Sequence, residues 1–339
     1  MLFAGRNNAP EDDIDVVIPT FQRPQQLARC LAGLEEQRLR PARVIVVVRT
    51  DDDATKRWLE AAHRDVVITY VNTPGVIAAM TEGVRVSSAA VVAFTDDDAV
   101  PRADWTTRLM AHFRDEEVGA VGGRDVIGGI GQPNSAVSVG RFTPYGRRVG
   151  NHHVGIGAPR DVHVLKGVNM AFRSEALALP RHGVLRGEGA QVDFELLSCG
   201  WARRQGWRIL YDPAVAVDHF PAARQGQAQR GSKEHDVVFD SAYNAGVGSV
   251  AFSGSAALIR GGYGLLVGTQ DRPGAGRLGW MLVRGRPGEV RRGWNALRGR
   301  WRGVIRAAFQ ACVDPGKIVV TAAEVRGQLQ KSMPAEVEK

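Results

Sequence analysis

Along the first half of the chain, apolar residues fall in short unbroken runs, and each run is followed by a stretch with helical spacing. Asp15–Thr20 (DVVIPT) predicts a first strand. A helix is expected from Pro24 to about Gln37, with Pro24 in its first turn and Leu27, Leu31 and Leu34 as an inward stripe. Val44–Val48 predicts a second strand and the stretch through Trp58, Leu59 and Ala62 a second helix. Val66–Val71, the Gly75–Val86 helix and the run Ala90–Thr95 continue the series. Strands alternating with helices predict a parallel sheet with right-handed crossovers. Unbroken rather than alternating apolarity implies that both faces of that sheet are covered.

The rhythm continues through a Trp105–Phe113 helix and a Val118–Gly122 strand, then fades. Gly128–Pro159 is Gly-rich and irregular, contains Gln132-Pro133-Asn134 and His152-His153, and is long enough to suggest a functional loop. The two histidines are expected in its solvated part. Order returns at Val162–Lys166 and Asn169–Phe172, a helix is expected from Val192 to Gln205, and Arg208–Tyr211 reads as a short strand before Asp212-Pro213. An alternating run then ends at His219. Arg224–His235 (RQGQAQRGSKEH) is polar and reads as a linker.

Composition changes this picture little, and charge changes it more. At 339 residues with 44% hydrophobic and 24% charged content, the chain resembles an ordinary globular protein. Three scattered cysteines, Cys30, Cys199 and Cys312, support neither a disulfide framework nor a zinc site and fit a reducing cytosol. The N-terminal stretch lacks the apolar core of a signal peptide, and Ser241–Ile259 is too polar for a membrane span. The net charge of +8 is uneven: residues 241–339 carry 15 Lys/Arg against 6 Asp/Glu, leaving the first 240 residues near neutrality. The expected organisation is a catalytic domain over 1–225 (halves of about 14–125 and 126–225), a linker over 226–240 and a basic helical extension over 241–339.

Asp96-Asp97-Asp98 follows the fourth run directly, so the carboxylates stand where a buried strand leaves the sheet, the edge at which open α/β sheets bind ligands. Asp96 and Asp98, two apart, can point the same way and share one hard cation. A solvated acidic turn is the plainer reading of such a triplet taken alone.

The order strand–PTFQRP, strand–RTDDDAT, strand–NTPG, strand–TDDDAVP, then KGVNMAF, VDFEL and GWRILYDPAVAVDH resembles a family 2 glycosyltransferase with the GT-A fold over roughly residues 14–222. The resemblance implies an α/β fold, a Rossmann-like, mostly parallel sheet flanked by helices. It also implies inverting transfer of a sugar from a nucleotide-diphosphate donor to an acceptor hydroxyl, with Mn²⁺ or Mg²⁺. Asp96 and Asp98 match the DxD pair, and His219 matches a histidine near the metal or diphosphate. Thr20 and Arg23 match positions lining the nucleotide pocket, and Asp97, Arg49 and Asp51 are assigned to the same pocket. Arg49 stands at or near the place of the usual base-reading acid, and Met80 and Thr81 stand where the family has Arg and Asn, so the base is left open. Lys166-Gly167-Val168-Asn169 matches the donor-sugar loop, with Lys166, Gly167 and Asn169 as contacts. The general base belongs at Glu195, with Asp193 as the alternative; Asp193 as a helix cap is its plainer role.

In the extension, Trp294, Leu297, Trp301, Val304, Ile305 and Ala308 share helical spacing among eight arginines between Arg284 and Arg306. Two readings stand: docking on an anionic membrane surface, or packing on the catalytic domain. The expected partners are a sugar-nucleotide donor and a glycan, lipid-linked or small-molecule acceptor; nucleic acid is not expected. The expected location is cytoplasmic, or peripheral on the inner face of the cell membrane. Competing with transfer are a non-catalytic sugar-nucleotide or glycan-binding protein and a nucleotidyltransferase, the latter disfavoured by the lack of a Gly-rich phosphate loop.

Overall fold

A computed structural model describes residues 13–332 apart from 63–64, 130–134, 188, 190, 223–234, 271 and 285–286. The N-terminal stretch 1–12, Gln132-Pro133-Asn134 and nearly all of the 224–235 stretch read as a linker lie outside the described residues. The N-terminal part runs β1 (Ile14–Thr20), α1 (Pro24–Glu35), β2 (Arg43–Arg49), α2 (Asp53–Ala62), β3 (Val67–Val71), α3 (Val76–Val86) and β4 (Val91–Thr95). Next come β5 (Ala99–Pro101), α4 (Trp105–His112), β6 (Val118–Ile127), β7 (Arg141–Phe142), β8 (Arg148–Val149), β9 (Arg160–Asp161), β10 (Asn169–Arg173) and β11 (Ala178–Pro180). The chain continues through α5 (Glu195–Arg204), β12 (Arg208–His219), α6 (His235–Val250), α7 (Ala257–Leu266), α8 (Ala275–Val283), α9 (Pro287–Val313), β13 (Val319–Thr321) and α10 (Ala322–Ser332).

The main sheet has the order β3-β2-β1-β4-β10-β6-β12-β5, with β9 added against β12. The first four strands are parallel, as the unbroken apolar runs predict. Val16 and Ile18 join one apolar cluster with Val46, Val48 and Ala93, while Val17 joins the other with Ile45, Val47, Val92 and Phe94. Successive side chains of each strand thus enter opposite layers, which explains the unbroken apolar runs; Asp15, buried near the start of β1, is instead met by Arg43 and Ser87. Helix α3 closes tightly on this sheet because residue 83 is glycine; a Cβ there would lie 2.3 Å from Val17 Cγ1.

The second half departs from the expected pattern at several points. β10 runs antiparallel to both β4 and β6, so the sheet is mixed. The Arg208–Tyr211 strand does not stop at Asp212-Pro213: β12 is one strand of 12 residues whose register against β6 shifts between Asp212 and Ala216. Proline lacks the N–H of a regular ladder, and the strand absorbs it as an irregularity instead of ending. Helix α5 opens at Glu195 and not at Val192, because Asp193 holds a left-handed φ of 70° that a helix excludes. Among its described residues, the Gly128–Pro159 loop carries the β7–β8 hairpin and a short turn at His152–Val154. His152 is not solvated: it is buried, its Nε2 lies 2.9 Å from the Val164 carbonyl, and its ring meets Tyr211 edge-on.

Helix α6 begins at His235, so residues 235–240 of the expected linker are helical. The C-terminal helices pack on the main sheet. Tyr243, Val247, Ala307, Ile318 and Val325 belong to the same apolar cluster as Val17 and Phe94, and β13 pairs antiparallel with β11. Arg326 of α10 donates to the carbonyls of Val84 and Ala89 and to the hydroxyls of Ser87 and Ser174. Helices α6 and α9 meet along a seam of small residues: a Cβ on Gly299 would lie 2.3 Å from the Phe239 carbonyl oxygen, and one on Gly303 2.2 Å from that of Tyr243. Hence α9 turns glycine and alanine inward, not its tryptophans. No helix among the described residues is long and apolar enough to cross a membrane.

Candidate active site

β4 leaves the sheet at Thr95 and the chain turns through Asp96-Asp97-Asp98 beside the end of β1. The middle carboxylate faces β1: Thr20 Oγ1 donates to Asp97 Oδ2 at 2.9 Å and Arg23 Nη1 to Asp97 Oδ1 at 3.1 Å. Burial raises the Asp97 carboxyl, Arg23 opposes this and Asp98 adds to it, leaving Asp97 at about 7. Arg23 also lies 3.7 Å from Asp98 Oδ2. Thr20, Arg23 and Asp97, all assigned to the nucleotide pocket, therefore meet as one cluster.

Asp98 is almost completely buried, and its Oδ2 accepts the Ala222 N–H at 2.8 Å. Antiparallel pairing of β12 with β5 sets His219 opposite Ala99, which brings it beside Asp98, 121 positions away in sequence. His219 Nε2 then lies 3.3 Å from Asp98 Oδ1, and His219 Nδ1 lies 3.6 Å from Asp125 Oδ2. Burial lowers the His219 imidazole, but Asp125 and Asp98 outweigh it and raise the group to about 9. For Asp98, burial pushes upward while His219, the Ala222 N–H and Arg23 together hold the carboxyl below its ordinary value.

Asp96, Asp98 and His219 each offer a ligand atom, and those atoms lie within 4.8 Å of one another. Asp98 Oδ1 and both ring nitrogens of His219 are buried without a hydrogen-bond partner. Buried polar atoms are normally paired, so these three residues fit a divalent cation that would satisfy them. Asp125 is absent from the sequence-based assignment. Its one signal was a carboxylate inside the apolar strand β6, and it stands 3.6 Å from His219 Nδ1 as a charge partner.

At the end of β2, Arg49 pairs with Asp51 and its guanidinium lies 4.1 Å over the Phe21 ring. Hydrogen bonding from Arg49 lowers the Asp51 carboxyl. Between them and the helix, Asp52 is fully buried and accepts from the Gln22 N–H, the Thr55 N–H at 3.0 Å and the Thr55 hydroxyl at 2.6 Å. It ties the loops after β1 and β2 together, a role hidden within its acidic triplet.

The Lys166-Gly167 turn meets the start of α5. Gly167 N–H donates to Glu195 Oε1 at 3.0 Å, and a Cβ on Gly167 would lie 2.8 Å from the Phe194 ring. Burial raises the Glu195 carboxyl and Asp193 raises it further, while Lys166 opposes them. Lys166 itself is exposed. Asn169 stands differently from its expected place at the donor sugar. It is fully buried, its Oδ1 accepts from Trp105 Nε1 at 2.8 Å, and its amide donates to the carbonyls of Arg124 and Val215. With its side chain committed inside the sheet, it locks β10 to β6 and β12.

Asp193 caps no helix. Arg148 Nη1 and Arg272 Nη1 each donate to it at 2.5 Å. Burial would raise its carboxyl, but the two guanidinium groups hold it well below the usual carboxylate range. Arg300 of α9 is buried behind them and donates to the Gly264 and Arg272 carbonyls. No motif marks Arg148 or Arg272, which arrive from the irregular loop and the extension.

The family model described as "Glycosyltransferase like family 2" matches residues 10–232. The pre-mycofactocin glycosyltransferase of Mycobacterium tuberculosis is 28% identical over 220 residues, covering 61% of this chain and 42% of that protein. An N-acetylglucosaminyltransferase of Bradyrhizobium elkanii is 29% identical over 119 residues, covering 33% of this chain and 65% of that one. The chain thus spans less than half the length of its mycobacterial relative. Among solved structures, GalNAc-T7 with UDP, GalNAc and Mn²⁺ shares the fold, with a TM-score of 0.53 and 14% identity over 75% of this chain and 52% of that one. The matched segment runs from before β1 to beyond β12 and takes in well over half of the protein, which therefore belongs to the family 2 glycosyltransferases and carries their enzyme domain on a GT-A fold.

Proposed function

We propose that this protein transfers a sugar from a nucleoside-diphosphate donor to an acceptor hydroxyl, with inversion at the anomeric carbon and with a divalent cation. The observation that carries the reading is the pairing of two unlike carboxylate environments. One group, Asp96 and Asp98 with His219, is arranged as a cation site; the other, Glu195, is a lone, partly buried carboxylate with raised basicity. Asp96, Asp98 and His219 would hold Mn²⁺ or Mg²⁺, which neutralises charge on the departing diphosphate. Arg23, fixed by Asp97, supplies a guanidinium beside the same phosphates, and Thr20 fixes Asp97 in turn. Arg49 and Asp51 border the nucleotide, and Lys166 with the Gly167 backbone borders the donor sugar.

Glu195 takes the proton of the acceptor hydroxyl as that oxygen attacks. Its Oε1 is held by the Gly167 N–H, which aims the carboxylate at the donor loop. Asp193 is unsuited to this step, because two arginines lower its basicity and occupy both its oxygens. It acts instead as a positioning residue.

The test is incubation of the full chain with a panel of sugar nucleotides, acceptor glycans and lipid-linked acceptors, with Mn²⁺ or Mg²⁺. Release of nucleoside diphosphate with a product of inverted anomeric configuration is expected. Retained configuration, or donor binding without diphosphate release under every combination, would overturn the reading.

A further inference from the structure

We propose that the outer faces of α7, α8 and α9 form a docking surface for an anionic lipid bilayer. This inference is independent of the sugar-transfer reading. Among the described residues, eleven of the sixteen large hydrophobic side chains left exposed fall on or beside these three helices. On α9, Trp294 and Trp301 are each 54% exposed, Ile305 49% and Phe309 72%. Their spacing of seven, four and four puts them in one stripe, on the side of the helix opposite Gly299, Gly303 and Ala307. The seam with α6 has therefore taken the small residues and left the large ones in water. Leu258 on α7 and Val283 on α8 are each 87% exposed, and both helices pack against α9.

Charge identifies the occupant. Exposed Arg298 lies within the stripe, and exposed Arg291 and Arg302 flank it. Arg284 lies 4.9 Å over the Trp280 ring. Between Arg272 and Val313 the sequence holds ten arginines and one acid, Glu289. Such a face repels a second copy of itself, which argues against a dimer. It suits an anionic headgroup layer, with tryptophan rings at the interface and aliphatic side chains below it. The aliphatic share, in Leu258, Val283 and Ile305, matches hydrocarbon better than the stacked bases of a nucleic acid. Since no described helix can span a bilayer, α9 would lie along the surface.

The experiment is flotation of the full chain with vesicles of phosphatidylcholine alone or mixed with phosphatidylglycerol, at low and high salt. Binding to the anionic vesicles, weakened by salt, is expected. Arg291→Gln/Arg298→Gln/Arg302→Gln should weaken it about 100-fold, from roughly fivefold per arginine. Trp294→Ser/Trp301→Ser should remove the binding that survives high salt. Both variants change exposed side chains, so their melting temperatures should match that of the parent, which keeps the comparison meaningful. Equal partition to neutral and anionic vesicles, absence of vesicle binding, variants that bind like the parent, or a stripe-dependent dimer in light scattering that ignores vesicles would each overturn the proposal.

Discussion

Arg272, from the C-terminal extension, donates to the carboxylate of Asp193, two residues before the proposed base Glu195. Arg148 grips the other oxygen from the β7–β8 hairpin, so three distant segments meet at one buried anion. Asp193 still acts on Glu195 as a like charge and raises its carboxyl. Asp193→Asn should therefore lower the Glu195 pKa, because the like charge is lost and two guanidinium groups are no longer neutralised. The acid limb of kcat against pH should move to lower pH, measured by steady-state rates across the acid range.

The same substitution bears on folding. A carboxylate depressed in the folded state contributes stability that is present above its unfolded value and lost as pH falls through the folded one. Asp193→Asn should cost about 3 kcal/mol at neutral pH, since it leaves two arginines facing a neutral amide. The deficit should shrink as pH drops below about 4, where the unfolded carboxyl takes up its proton. Denaturant melts at neutral and acid pH measure both effects.

Glu195→Gln should reduce kcat by about 10²–10⁴ while leaving donor affinity nearly unchanged, because an amide cannot accept the acceptor proton. The Gln side-chain oxygen can still receive the Gly167 N–H, so the loop should stay in place. Rates measured beside donor titrations separate the two quantities.

Asp98→Asn should abolish the dependence of donor binding on divalent cation, because it removes a charged ligand from a three-residue set. The readout is a thermal shift with nucleoside diphosphate, with and without Mn²⁺; binding stabilises by mass action, so the wild type should gain with metal and the variant should not.

A chain ending at residue 240 should not fold, since the extension supplies Tyr243, Val247, Ala307 and Val320 to the central apolar cluster. A gentler probe is Ile318→Ala. This side chain is fully buried, and its truncation should cost about 2–5 kcal/mol in a denaturant melt.

The sequence discloses most where one physical demand fixes every residue of a segment. β1, β2 and β4 lie between two apolar layers, so the runs Val16–Ile18, Val44–Val48 and Val91–Phe94 contain no polar break and are legible at once. Asp96 to Asp98 could be placed because they abut such a run. Legibility fails where partners are remote. Asn169 sits in a motif suggestive of the donor loop, yet its amide is consumed by Trp105, Arg124 and Val215, none of which the motif contains. Asp193 looked like a helix cap because its arginines lie 45 and 79 residues away. On α9 the large apolar residues invite the inference that they face the core, but close backbone approach favours the smallest residues, and the glycines won that face.

That glycine seam makes tolerance to substitution on α9 lopsided. Positions 299 and 303 have no clearance for even a methyl group against the α6 backbone, whereas positions 294, 298 and 301 are exposed. A library randomised over the helix should recover nearly any residue at the outer positions and almost nothing but glycine at the inner ones. The exterior can be rewritten, and the protein readdressed to a different surface, without disturbing the enzyme beneath it.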